Sequence, residues 1–105
     1  MKQINAVELK KLLDSKNGAK PLVLDVREGY EFRAGHVPGA KWIPIGQVVQ
    51  RINELDSGAP IAVICESGSR SMSVAAYLDK KGFKTVYNVL EGTFGWRMEG
   101  YPIEK

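Results

Sequence analysis

The chain has 105 residues but only one cysteine and one histidine. One cysteine cannot close an internal disulfide, so the fold does not depend on oxidation, and a reducing, cytoplasmic setting is the simplest expectation. No apolar run approaches the length that crosses a bilayer, which argues against a membrane protein. Nothing apolar follows Met1-Lys2-Gln3-Ile4-Asn5, as a secretory leader would require. Repeats and low-complexity tracts are absent. Charge of one sign is not concentrated anywhere: 15 basic and 12 acidic residues, for a net +3, are spread along the chain. That excludes the basic stripe of a nucleic-acid binder and the acidic tail of a charged arm. A hydrophobic fraction of 44% and a charged fraction of 26% describe an ordinary globular protein. The length suits one domain over residues 1–105, and nothing in it demands more than a monomer.

Asn5 and Glu8 fit a capping box, and Val7, Leu9, Leu12 and Leu13 follow at helical spacing, predicting a helix from about Ala6 to Lys16 with Gly18 as its stop. Leu22-Val23-Leu24-Asp25-Val26 reads as a strand buried on both faces. Gly29 to Gly35 reads as a short helical turn anchored by Tyr30 and Phe32. Val37-Pro38-Gly39-Ala40 is a turn, and Lys41-Trp42-Ile43 a brief strand. Val48, Val49, Ile52 and Leu55 predict the apolar face of a further helix. Ile61-Ala62-Val63-Ile64 is a second buried strand that delivers the chain to Cys65. A helix over Ser71–Lys81 with Val74, Ala75 and Leu78 inward, a strand over Thr85–Val89 and a last helix over Gly92–Glu99 complete the pattern. Buried strands alternating with helices imply parallel pairing and an α/β architecture with helices on both faces. Ligands in such sheets sit beyond the carboxyl ends of the strands, where Cys65 lies.

The segment Cys65-Glu66-Ser67-Gly68-Ser69-Arg70-Ser71 carries the chemistry. A tight Gly- and Ser-rich turn can aim several backbone N–H groups at one point. The following helix adds its positive end, and Arg70 adds a formal charge. All three favour thiolate over thiol, and thiolate is the nucleophile. Lowering an ordinary thiol by one or two pKa units takes about 1.4–2.8 kcal/mol, within reach of such a cradle. A persulfide on Cys65 would sit in the same cradle as an anion. The competing reading of a lone cysteine is a small buried hydrophobe; the loop and Arg70 favour function.

These residues resemble the rhodanese homology family in its single-domain form. The motif C-x-x-G-x-R followed by Ser is matched by Cys65, Gly68, Arg70 and Ser71. A D-x-R pattern followed by a G-H-[IV]-P-G-A turn is matched by Asp25, Arg27, Gly35, His36, Val37, Pro38, Gly39 and Ala40. The ending, with Gly92, Trp96, Gly100, Tyr101 and Pro102, also resembles the family's. The resemblance implies a five-stranded parallel sheet flanked by helices, and sulfur transfer without metal or organic cofactor. In that scheme Cys65 takes sulfane sulfur from thiosulfate or a persulfide donor and passes it to a thiol or cyanide. Members with six residues from Cys through Arg act on sulfur donors, whereas relatives with one more, usually preceded by His, accommodate phosphate or arsenate. Here the count is six and Ile64 precedes the cysteine. The sequence departs from the family at Glu66, whose charge should disfavour thiosulfate, and at Glu91, where a glycine is common.

Around Cys65 and Arg70, the loop residues Glu66, Ser67, Gly68, Ser69 and Ser71 form the expected binding surface. The serine hydroxyls could contact sulfur, although Ser is also an ordinary loop and N-cap residue, and main-chain donors should dominate. Asp25 and Arg27 suit a buried ion pair supporting the loop, or direct substrate contact. His36 suits a structural turn better than a general base, since a preformed thiolate needs none. Arg70 could bind substrate or hold carbonyls of its own loop. Trp42, Trp96, Tyr77, Tyr87 and Tyr101 read as packing anchors. Four functions compete: a persulfide-forming sulfurtransferase; a sulfur carrier loaded by a protein persulfide partner; an arsenate or phosphate enzyme, disfavoured by the short loop; and a non-catalytic regulatory domain, disfavoured by Cys65 and Arg70.

Overall fold

The three apolar runs become neighbouring strands at the centre of one sheet. The computed structural model describes residues 1–105 except Asn17 and Ala19. In chain order the strands are β1 (Lys2–Ile4), β2 (Leu22–Asp25), β3 (Lys41–Trp42), β4 (Ile61–Ile64) and β5 (Val86–Val89). The helices are α1 (Ala6–Asp14), α2 (Gly29–Ala34), α3 (Ser69–Lys80) and α4 (Gly92–Met98). The five strands lie in the order β1-β5-β4-β2-β3, and every pairing is parallel.

β4 holds the centre, and all four of its residues are buried. Alternation along a strand sends its side chains to opposite faces. Ile61 and Val63 join Val74, Ala75 and Leu78 of α3, whereas Ala62 and Ile64 join Ala6 and Leu9 of α1 and Trp96 of α4. Cys65 continues the first series and lies on the α3 face. Each fully buried Leu, Ile or Val contributes about 1.5–3 kcal/mol, so this double-sided burial pins the strand that carries the nucleophile.

The capping box at Asn5 forms in both directions: the Glu8 N–H donates to Asn5 Oδ1 at 2.8 Å and the Asn5 N–H to Glu8 Oε1 at 2.9 Å. The helix behind it is shorter than expected, ending at Asp14 because Ser15 turns extended and closes its N–H on the Leu12 carbonyl. Four further features depart from expectation. The edge strand β1 has no apolar run to announce it. Tyr30 is 71% exposed, so Phe32 alone anchors α2, stacking on His36 and Trp42. The segment read as a helix over Val48–Leu55 is two 3-10 turns, Ile45–Gln47 and Ile52–Glu54. Val48 and Leu55 are buried there at a spacing that also suits a helix, but Val49 is exposed. Finally, α3 begins at Ser69, two residues before its expected start, which brings the loop directly onto the helix. No helix among the described residues is long and apolar enough to cross a membrane.

Candidate active site

Cys65 leaves β4 fully buried, and the chain turns sharply behind it. The turn is made by Gly68, whose φ of +98° suits glycine and whose bare α carbon faces the Glu91 N–H and the Val89 carbonyl. α4 closes on the same loop. The Thr93 N–H and hydroxyl donate to the Cys65 carbonyl at 2.8 and 3.2 Å, and the Phe94 N–H donates to the Glu66 carbonyl at 3.1 Å. Gly92 permits this approach: a Cβ there would overlap the Cys65 carbonyl oxygen. A trans peptide points its C=O and N–H in opposite directions. Holding the Glu66 carbonyl against α4 therefore turns the Ser67 N–H to the other side, toward sulfur.

Three main-chain donors converge on the sulfur. The N–H groups of Gly68 and Ser71 reach Cys65 Sγ at 3.2 and 3.3 Å, and the Ser67 N–H joins them. The Ser71 side chain adds a contact between Oγ and Sγ of 3.3 Å. Burial pushes the thiol up; the Ser71 hydroxyl, then the N–H groups of Ser71, Gly68 and Ser67, outweigh it and hold the group below the ordinary thiol range. A sulfur so placed is a nucleophile and, with a second sulfur attached, an anion held by amides.

The guanidinium expected beside the sulfur is committed elsewhere. Arg70 Nη1 and Nη2 donate to the two oxygens of Glu31 at 2.8 and 2.9 Å, rather than to carbonyls of the loop. Hydrogen bonding from Arg70 outweighs partial burial and holds the Glu31 carboxyl at about 2, well below its usual range, while Glu31 raises Arg70 in return. Glu66 is likewise occupied: Arg27 Nη1 lies 3.3 Å from it and Arg97 of α4 bonds its other oxygen. Arg27, nearly fully buried, also donates to both oxygens of Asp25, at 2.8–3.1 Å, and to the Gly35 carbonyl at 2.8 Å. Burial would lower the Arg27 pKa, and Asp25, with Glu66 and Glu31, together outweigh it and raise it. Three guanidinium groups thus face three carboxylates around the loop. Arg27, Glu31, Glu66 and Arg97, with Ala34 and Gly35, line a cavity of about 310 Å³ beside it.

The other expected residues separate. Ser67 and Ser69 are exposed, so of the three hydroxyls only that of Ser71 meets the sulfur. The His36 ring lies outside the loop, stacked on Phe32 at 3.7 Å, with Nδ1 against the Phe32 carbonyl at 2.8 Å and Nε2 3.4 Å from Glu104. Glu31, Arg97 and Asn88 belong to the site without having been expected there. Asn88 alone carried a signal: it is a polar residue inside an apolar strand, and it is buried, accepting from the Ser71 hydroxyl at 2.6 Å.

A parallel α/β sheet with a cysteine-centred amide cradle at the end of its middle strand defines a class of anion-holding cysteine domains, and comparison with known proteins gives the family. The family model described as Rhodanese-like domain matches residues 5–99. The chain is 46% identical over 74 residues to the putative sulfur carrier protein YrkF of Bacillus subtilis, covering 70% of this chain and 40% of that protein. It is 37% identical over 102 residues to the putative sulfurtransferase YtwF of the same organism, covering 97% of this chain and 96% of the other. The thiosulfate sulfurtransferase GlpE of Pseudomonas putida is 41% identical over 99 residues, covering 94% and 84%. Among solved structures, a rhodanese-related protein from Thermoplasma volcanium superposes with a TM-score of 0.88 at 32% identity, over 99% of this chain and 98% of that one. The chain belongs to the rhodanese-like domain family, and its relatives named as sulfurtransferases support sulfur transfer at the level of the family.

Proposed function

We propose that the protein is a sulfurtransferase moving sulfane sulfur from thiosulfate or a persulfide to a thiol or cyanide through a persulfide on Cys65. The observation that carries this reading is the convergence of the Ser67, Gly68 and Ser71 N–H groups on one buried sulfur. The Cys65 thiolate attacks the outer sulfur of the donor. The new S–S bond forms as the donor's S–S bond breaks, and sulfite or a thiolate leaves with the electron pair. The outer sulfur of the persulfide anion is held by the same amides until an acceptor thiolate or cyanide attacks it, releasing the Cys65 thiolate. Neither half-reaction needs an external oxidant or reductant. The name of the Pseudomonas relative supports thiosulfate as a donor. We further propose a cytoplasmic setting, in keeping with the single cysteine, and action as a monomer.

A second reading has its own support: a persulfide carrier loaded by a partner protein, with little turnover of free small molecules. Arg70 and Arg97 are both engaged by carboxylates, which leaves a sulfonate-bearing donor without a free guanidinium. A relative named as a sulfur carrier points the same way. One experiment addresses both. Wild type and Cys65→Ser are incubated with thiosulfate or a low-molecular-weight persulfide and weighed intact under non-reducing conditions. One added sulfur atom in the wild type alone, discharged by cyanide, is expected. Its absence with every small-molecule donor would overturn the first reading, absence of loading from a protein persulfide as well would overturn the second, and where loading occurs the turnover rate separates them.

A further inference from the structure

The Ser71 hydroxyl has one proton and two neighbours that can use it. Its Oγ lies 3.3 Å from Cys65 Sγ and donates to Asn88 Oδ1 at 2.6 Å. Asn88 Nδ2 in turn donates to Gln3 Oε1 at 2.8 Å and, less closely, to the Gly68 carbonyl at 3.3 Å. The run Cys65–Ser71–Asn88–Gln3 therefore joins the buried sulfur to the edge strand β1. In this arrangement every side-chain donor of the run points away from sulfur: S–H to Ser71, Ser71 O–H to Asn88, Asn88 N–H to Gln3. It suits a thiol. It does not suit an anion, which donates nothing and needs the Ser71 proton for itself.

A Ser71 hydroxyl turned to a sulfur anion would leave buried Asn88 Oδ1 without its donor. An unpaired polar atom in the interior is strongly disfavoured. The side-chain types provide the remedy. An amide's oxygen and nitrogen ends have nearly the same shape, so rotation by half a turn exchanges acceptor for donor in the same space. With both amides rotated, Gln3 Nε2 donates to Asn88 Oδ1, Asn88 Nδ2 donates to Ser71 Oγ, and Ser71 O–H donates to sulfur. The exchange gives up the longer bond to the Gly68 carbonyl and the contact of Gln3 Nε2 with Met72 Sδ at 3.7 Å.

We propose that Asn88 and Gln3 are positioning residues for the Cys65 sulfur, and that with Ser71 they form a hydrogen-bond chain whose direction reverses when the sulfur gains or loses its negative charge. No proton travels along it; the thiol proton leaves for solvent, and only the hydroxyl and the two amides rotate. The proposal rests on the reading of Cys65 as the group that carries charged sulfur, but its test does not use sulfur transfer.

The charged groups around the sulfur are the Arg70–Glu31 pair and the Arg27, Asp25, Glu66 and Arg97 network. Lys2 and Tyr87 alternate with Gln3 and Asn88 along β1 and β5, so they belong to the opposite face. None of these residues is altered. Cys65 ionisation is followed in the intact protein by the ultraviolet absorbance of its thiolate, and the side-chain amide signals of Asn88 and Gln3 by nuclear magnetic resonance over the same pH range. Both amides should titrate at the midpoint of the thiolate absorbance, and should not titrate there in Cys65→Ala. Gln3→Glu can only accept; it should raise the thiolate midpoint by about half a pH unit in 1 M salt, where through-space effects of an exposed charge are screened within about 3 Å. Amides that stay still while the thiolate forms, amides that titrate equally in Cys65→Ala, or a Gln3→Glu shift abolished by salt would each overturn the chain. If it fails while sulfur transfer persists, the proposed function stands without it.

Discussion

Arg70 places both of its terminal nitrogens on Glu31, 2.8 and 2.9 Å from the two carboxylate oxygens. The residue expected to meet an incoming anion is thereby held by α2, across from the loop. For Arg70 to meet an anion, this pair must open.

Glu31→Gln should free Arg70 to meet a sulfonate. Loading of Cys65 from thiosulfate should quicken about fivefold, the equivalent of roughly 1 kcal/mol of charge-assisted hydrogen bonding. Rates of persulfide formation with thiosulfate and with a neutral-tailed persulfide test this; an unchanged or slower thiosulfate rate would refute the gating role. The pair also has a pH signature. Arg70 depresses the Glu31 pKa from 4.5 to about 2, so its stabilisation is complete above the unfolded value and fades as pH falls from 4.5 toward 2. The stability difference between wild type and Glu31→Gln should shrink over that window.

Glu66 sits between Arg27 and Arg97, and its charge balances theirs. Glu66→Gln should improve thiosulfate loading several-fold by making the cavity positive. A wild-type rate that this variant fails to improve would mean that the acidic residue is fully compensated by its partners.

The Ser71 hydroxyl is the largest influence lowering the Cys65 pKa, ahead of any single N–H. Ser71→Ala should raise the thiol pKa and slow alkylation near neutrality up to about tenfold. Ser67→Ala should be mild, because its exposed side chain leaves the N–H in place. Equal losses in the two variants would assign the effect to loop distortion instead. Arg70→Ala should be severe in sulfur transfer while leaving the thiol cradle intact.

Asp25→Ala strands Arg27, which is 2% exposed, beside no complete partner. The variant should lose about 3–5 kcal/mol of stability in denaturant titrations. Adding Arg27→Met should recover much of that loss, and failure to do so would show that Arg27's bonds to Gly35 and Glu66 matter more than its pairing.

Glu91 is the one non-glycine with positive φ among the described residues, at +58°. Glu91→Gly should raise stability by about 1 kcal/mol, seen as a higher Tm, through relief of that conformation. Gly92→Ala should instead destabilise severely, since its Cβ would meet the Cys65 carbonyl. A neutral Gly92→Ala would mean that α4 can withdraw from the loop.

The reach of the sequence tracks how much of each element is decided locally. Ile61–Ile64 is apolar throughout, flanked by Pro60 and Cys65, and appears as a strand with the expected bounds. The edge strand β1 has three residues, two of them exposed, and exists only because β5 offers it partners. In the 45–55 segment a spacing of three suits both an α-helix and a 3-10 turn, and the competing turns around Gly46 and Gly58 could not be weighed from periodicity. The cradle was readable because its donors lie within the loop. Glu31 and Arg97 were not, because each comes from a different element and its charge looks like an ordinary surface residue until the fold brings it to the loop, while Asn88 showed only as a polar residue in an apolar strand, with nothing to connect it to Ser71.

The seating of Gly92 against the carbonyls of residues 65 and 66 has a consequence for how this domain could acquire new chemistry. Loop and terminal helix form one wall, with no slack between them. An insertion that widened the cradle for a bulkier oxyanion would push the wall apart unless α4 were re-sited in the same step. The small site is thus guarded by a helix remote from it in sequence, and a change of substrate size requires two mutations where one would seem to suffice.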